Sequence, residues 1–287
     1  MAYSAEISRN NPALFVLLID QSTSMGDGVP GSDQPNRQKS VALAAAINRL
    51  IYNLIIRCER EEGVRHFFDI CVIGYGNTVG PAFIGPLAGR ELVSITELAD
   101  SPARVDKRVK KTDDGAGGIM EQSIDFPVWF DPVANGRTPM CEALQRAHGI
   151  VSQWLAQHPK CFPPVIIHIT DGESTDGNPV AAMNELTSLS SDDGNVLLFN
   201  VHIASNALEK PVAFPSSSEA FSSESGDHKN AQQLFEGASP LLPSMRAVAN
   251  SQHGMTLSEG ARGYVFNGDM ILVIQALDIG TRPSNLR

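Results

Sequence analysis

Eight consecutive residues, ALFVLLID (Ala13–Asp20), are apolar up to a terminal acid. A strand with one wet face alternates apolar and polar residues; this run does not, so it reads as a strand covered on both faces. A chain that opens this way must supply a layer on each side of a sheet. Leu43, Ile47, Leu50 and Leu54 recur at intervals of 4, 3 and 4, the apolar face of a helix from about Asn36 to Arg60. HFFDICVIGYG (His66–Gly76) then reads as a second strand, with VGPAFIG (Val79–Gly85) as its antiparallel partner across the turn at Gly76, Asn77 and Thr78.

The pattern continues. A helix starts at Pro139, with Met140, Leu144, Ala147, Val151 and Trp154 on one face, and PVIIHIT (Pro164–Thr170) follows as a buried strand ending at Asp171. A helix from Val180 to about Leu189, a strand over Val196–Ile203, and helices over Pro240–Asn250 and Asp269–Leu277 complete the series. Strands alternating with helices predict an α/β fold: a three-layer, open, mostly parallel sheet with one antiparallel edge strand and helices on both faces. We expect a single domain over 1–287, its core at about 10–280. Two stretches lack a sustained period and are expected to be surface insertions. Residues 101–137 contain the basic cluster Arg104, Lys107, Arg108, Lys110 and Lys111; residues 207–230 contain the Ser-rich PSSSEAFSSESGD.

Composition narrows the function. Lys+Arg 22 against Asp+Glu 32 leaves a net charge of −10, which repels phosphate backbones and argues against nucleic acid. The longest apolar tracts are strand-sized, so no membrane span is expected. The N-terminal MAYSAEISRNNP lacks the apolar core of a secretory signal. Cys58, Cys71, Cys141 and Cys161 include no C-x-x-C pair and read as reduced, small apolar residues. These features lead us to expect a cytoplasmic protein.

The chemistry begins where the first strand ends. Asp20, Ser22 and Ser24 form a D-x-S-x-S sequence, a carboxylate and two hydroxyls in a loop leaving a strand. Hard oxygen donors of this kind suit Mg²⁺ or Mn²⁺ better than zinc. Two further donors return to the same place. The helix after Thr138 travels ~28 Å at 1.5 Å per residue and the strand before Asp171 comes back ~23 Å at 3.3 Å per residue. Thr138 and Asp171 therefore share the carboxyl edge of the sheet, where open α/β folds bind ligands.

Asp20, Ser22 and Ser24, the threonine of GRTPM (Thr138) and the acid of TDG (Asp171) resemble the metal-ion-dependent adhesion site of the von Willebrand factor A (VWA) domain, with all five positions present and in order. The resemblance covers about residues 10–280. LFEGASPLLP (Leu234–Pro243) and ARGYVFNGDMILVIQALDIGT (Ala261–Thr281) look like bacterial VWA proteins of the tellurium-resistance Y type. The VWA resemblance implies that Ser22, Ser24 and Thr138 bind the metal through hydroxyls, while Asp20 and Asp171 act mainly through bound waters or as acceptors behind the direct ligands. It further implies a non-enzymatic module that captures a Glu or Asp carboxylate of a protein partner, in a bacterial stress or signalling system with a Ser/Thr kinase or PP2C-type phosphatase.

Plainer readings compete at each position. Ser22 and Ser24 also suit loop backbone groups, Thr138 suits a helix N-cap, and Asp171-Gly172 suits a strand-end turn. Glu173, Ser174, Thr175 and Asp176 form either the rim of the site or a capped turn. His168 and His202, inside apolar strands, read as core histidines. The basic cluster is either a solvated loop or a docking strip for an acidic partner. Gly74-Tyr75-Gly76 leads into a strand rather than a helix, which argues against a dinucleotide loop. A Mg²⁺-dependent phosphohydrolase would want a second Asp where Ser22 stands. A VWA subunit of an AAA+ ATPase or chelatase complex is the other alternative.

Overall fold

The computed structural model describes residues 3–29, 37–113, 119–204, 209–220 and 229–282. The end of the basic segment (114–118) and most of the Ser-rich tract (221–228) lie outside the described residues, as do the side chains of Lys110 and Lys111.

The chain runs β1 (Ala13–Asp20), α1 (Lys39–Cys58), β2 (Phe68–Tyr75), β3 (Val79–Pro81), β4 (Val93–Ser94), α2 (Ile95–Asp100), β5 (Arg104–Asp113) and β6 (Ile119–Val128). It continues with α3 (Met140–Gln157), β7 (Val165–Thr170), α4 (Val180–Ser188), β8 (Leu197–Ile203), β9 (Val212–Ala213), α5 (Lys229–Gly237), α6 (Pro243–His253), β10 (Tyr264–Gly268) and α7 (Met270–Gly280). Among the described residues one large sheet forms in the order β9-β10-β8-β7-β1-β2-β3, with β4 also on β2. The five central strands are parallel: β1 pairs β2 and β7, and β8 pairs β7 and β10. The fold is therefore a mostly parallel α/β sandwich.

Strand β1 is buried throughout, as its unbroken apolar sequence requires. Phe15, Leu17 and Ile19 point into a core shared with α1, α2, α6 and α7; Leu14, Val16 and Leu18 point into one shared with α3, α4 and α5. Each helix brings one apolar stripe. Helix α1 is long and apolar enough to span a bilayer by length and composition, contrary to the expectation of no such segment, yet it packs on the sheet with more than half of that window buried.

Three expectations need correction. The sheet carries antiparallel strands at both edges, β3 and β4 at one and β9 at the other, where a single edge strand was expected. Residues 101–137 are not patternless: β5 and β6 pair over ten residues each as a two-stranded ribbon, Arg104↔Val128 to Asp113↔Ile119. Both ribbon faces carry charges, which erases the period of 2 that marks a half-buried strand. Within 207–230, Val212–Ala213 joins the sheet rather than a surface insertion. Strand β10 and helix α5 were not foreseen, and α6 starts at Pro243 rather than Pro240.

Candidate metal centre

Parallel register fixes which residues meet at the carboxyl edge. Asp20 ends β1 opposite Tyr75 of β2, while Ile19 pairs Ile169 of β7, one residue before Thr170. The next peptide of each strand must turn outward, and the turns carry the polar groups.

Asp20 is 1% exposed. Its Oδ1 accepts the Ser22 backbone N–H at 2.8 Å and its Oδ2 accepts the Thr170 hydroxyl at 2.6 Å. Burial pushes the Asp20 carboxyl up to about 6, and the neighbouring Asp171 charge adds to this, against hydrogen bonds from Ser22 and Thr170. The Ser22 and Ser24 hydroxyls lie 3.0 Å apart, and Ser24 donates to Asp171 Oδ1 at 2.8 Å. Asp20, Ser22, Ser24 and Asp171 thus form one connected cluster, assembled from positions up to 151 apart.

Thr138 reaches the same edge on a loop stitched to the first. Asn135 N donates to Gln21 O at 2.6 Å, and Thr23 exchanges hydrogen bonds with Gly136. Gly136 has φ +93°, and a Cβ there would meet Asn77 N at 2.3 Å, so this approach requires glycine. Thr138 does not cap the following helix. Pro139 holds the N-cap position, and the Asp176 carboxylate accepts the N–H groups of Cys141 and Glu142 at 3.0 and 2.9 Å. Burial raises Asp176, but those two hydrogen bonds together with the Ser174 and Cys141 side chains outweigh it and hold the carboxyl below its ordinary value. Thr175 holds Thr138 at both backbone ends, accepting from its N–H and donating to its carbonyl. The Thr138 side chain therefore has no capping duty, and among the described residues it makes no hydrogen bond.

Lys39 was not foreseen. Its ammonium lies 2.8 Å from Asp171 Oδ2, with side chains 4% and 0% exposed. A cation at the first turn of a helix opposes the macrodipole, and that was the available signal in the sequence: a basic residue where acids are favoured. Asp20, Asp171 and Lys39 together carry a formal charge of −1.

Beneath the edge runs a fully buried polar relay. His168 Nδ1 donates to Asn200 Oδ1 at 2.9 Å, because an amide oxygen can only accept; Nε2 therefore accepts the Tyr75 hydroxyl at 2.6 Å. Burial lowers His168 to about 4, so the ring is neutral, a core histidine as expected. His202 is only half-buried as a residue; it stacks on Phe266 and its Nδ1 accepts the Asn267 N–H at 3.1 Å. The four cysteines are free.

The donor set suits a hard divalent ion: three hydroxyls and two carboxylates at one edge, with no His or Cys among them. Beside Thr138 opens a cleft of about 650 Å³ lined by Gly76, Asn77, Arg137 and Asp176 among others.

No protein-family model and no curated protein matches the chain. Solved structures do show similarity. Three N-terminal domains of the type V pili tip protein Mfa5 from Porphyromonas gingivalis align at 16% identity and TM-score 0.32, over 57% of this chain and 20% of that one. The ArnB paralog VWA2 from Sulfolobus acidocaldarius aligns at 12% identity and TM-score 0.38, over 82% and 41%. The vWF domain of Mfa5 aligns at 13% identity and TM-score 0.32, over 86% and 55%. This chain thus spans about half or less of the solved chains it resembles.

Proposed function

We propose that this chain is a metal-dependent protein-binding module of the VWA type, and that it binds rather than catalyses. The observation that carries the reading is the connected cluster of Asp20, Ser22, Ser24 and Asp171, with Thr138 relieved of capping by Asp176. Ser22, Ser24 and Thr138 would hold a Mg²⁺ or Mn²⁺ ion through their hydroxyls; Asp20 and Asp171 would orient its waters. When bound, the ion supplies an electrophilic position for an outside oxygen, because neutral hydroxyls leave its charge largely uncompensated.

This chain's own charges support a carboxylate as the source of that oxygen. Lys39 cancels one of the two carboxylates, so the residues present a formal charge of −1 to a divalent ion. The loaded centre is then net positive and favours a carboxylate, a Glu or Asp of a protein partner, over a neutral ligand. Arg137, on the wall of the adjoining cleft, adds a second positive group at the rim. A Ser/Thr kinase or PP2C-type phosphatase in a cytoplasmic bacterial stress system is the partner class we propose.

The test is affinity capture from the native host on the immobilised chain, in Mg²⁺ and in EDTA, with Ser22→Ala as control. Partners retained in Mg²⁺ and lost both in EDTA and on the variant are expected. Capture that survives EDTA, or is unaltered by Ser22→Ala, overturns the bridging mechanism.

A further inference from the structure

One face of α1 runs Lys39, Ala42, Ala46, Arg49, Asn53, at steps of 3, 4, 3 and 4. Beyond Lys39 this face buries Ala42 and Ala46 and leaves Arg49 and Asn53 exposed. It floors a trough walled on one side by Met270 and Ile274 of α7 and on the other by Ile124 and Phe126 of the ribbon. Two adjoining cavities of about 470 and 220 Å³ make up the trough and share Ala46, Arg49, Asn53 and Ile274. From Ala42 to Arg57 it extends about 22 Å at 1.5 Å per residue. That is the length of a peptide segment rather than of a small molecule.

The charge around it is the reverse of the molecule's. Arg37, Arg49 and Arg108 line the trough. Among the described residues none of the three has an ion-pair partner. Two acids also line the trough, but each is paired, Asp125 with Lys107 and Asp278 with Arg57 and Arg282, and the nearby Asp106 and Asp131 pair with Arg104. The Arg108 guanidinium carbon lies over the Phe126 ring, 3.3 Å from its centroid. Apolar groups stay exposed along the same edge, with Tyr52 at 38%, Val109 at 62% and Ile274 at 43%. A chain of net charge −10 thus places three guanidiniums, unpaired among the described residues, round an apolar floor.

We propose that this trough docks an acidic amphipathic helix of a partner protein. The small side chains Ala42, Ala45 and Ala46 let a second helix approach α1 closely. Apolar residues of the incoming helix at helical spacing fill the floor, and its flanking carboxylates meet the three arginines. Lys39 lies one turn from Ala42 on the same face, so the trough leads towards the candidate metal centre. The proposal stands on the trough alone and needs no metal. Nucleic acid fits less well, since phosphates would approach a strongly acidic molecule.

The probe is a fluorescein-labelled synthetic helix with Leu along one face and Glu on its flanks, followed by fluorescence anisotropy on the full chain in EDTA. Saturable binding is expected. It should weaken by about tenfold or more in Arg49→Glu/Arg108→Glu, whose exchanged side chains lie at the trough rim. Ala45→Trp, which fills the floor, should abolish it, and the same peptide with Lys for Glu should not bind. Thermal melting of each variant verifies the fold. Failure of the Glu peptide to bind the parent chain overturns the proposal, as does equal binding to the double variant. Tighter binding of a single-stranded oligo-dT, or self-association of the chain that Ala45→Trp abolishes, assigns the trough to another occupant and equally overturns it.

Discussion

At the residue scale the informative contact is Lys39 on Asp171. The partners are 132 residues apart, and both are buried. Removing one member of a buried pair leaves the other charge uncompensated, at a cost of about 3–5 kcal/mol. Lys39→Met should lose stability on that scale in urea unfolding with EDTA. A divalent ion at the same carboxylates replaces the missing charge, so saturating Mn²⁺ should restore much of the loss. Equal losses with and without Mn²⁺ would show that no cation binds there. The D-x-S-x-S cluster was legible because its members are adjacent in sequence. Lys39 was not, because what justifies its position is a carboxylate that only the sheet register brings near.

A second residue-scale contrast separates the proposed ligand Thr138 from the cap Asp176. Asp176→Ala removes the acceptor for two N–H groups of α3 and should cost about 1 kcal/mol of stability. Thr138→Ala removes no hydrogen bond made by its hydroxyl among the described residues and should leave the unfolding midpoint nearly unchanged. If Thr138→Ala proves the more destabilising of the two, the division of roles is wrong.

At the scale of elements, the base of the ribbon is held by Asn48 together with Trp129 Nε1 donating to Leu98 O at 2.8 Å and Ile84 N donating to Trp129 O at 2.9 Å. Asn48 of α1 is 2% exposed; its Oδ1 accepts from Trp129 N at 2.8 Å and Phe130 N at 3.1 Å, and its Nδ2 donates to Phe130 O at 2.7 Å. Asn48→Ala leaves three backbone groups unsatisfied beneath the ribbon and should cost about 3 kcal/mol or more. Urea unfolding measures the loss, and a change below ~1 kcal/mol would mean the ribbon base is held by other contacts. The buried strands and stripe-bearing helices were readable, since each has a period or an unbroken apolar run. The ribbon was not: Arg104, Asp106 and Arg108 alternate with Val105, Lys107 and Val109, so neither face is apolar. Strand β10 was hidden for another reason. Its five residues run almost directly into apolar α7, divided only by Asp269, whose side chain caps Leu272 N–H at 2.9 Å.

At the scale of the whole molecule, buried ionisable groups set the response to acid. His168 and His202 are both lowered by burial to about 4. The unfolded chain binds protons to these rings below its ordinary value near 6.5, the folded chain only near 4, so stability falls as pH drops through that window. Asp20 acts in the opposite sense: raised from 3.8 to about 6, it takes up a proton in the folded state first, and stability rises as pH falls through that interval. His66, raised by its hydrogen bond with Asp69, acts in the same sense as Asp20 but only above its ordinary 6.5, so a net loss is expected from about pH 6.5 down to pH 5, at most about 1.4 kcal/mol per pH unit for each unopposed group. Urea midpoints across that range test it. Asp20→Asn, lacking the opposing carboxyl, should lose stability more steeply; a flatter profile than the parent would contradict the assignment.

The layered architecture and the meeting of the five oxygen donors at one sheet edge follow from the same fact, parallel strands that all end on one side. The proposed metal site is most directly tested by titrating the chain with Mn²⁺ and following free Mn²⁺ by electron paramagnetic resonance. A single site is expected, displaced by Mg²⁺, with affinity reduced about tenfold or more in Ser24→Ala and Thr138→Ala while the unfolding midpoint of Thr138→Ala holds. No Mn²⁺ binding by the parent chain, or equal affinity in both variants, would contradict the metal centre.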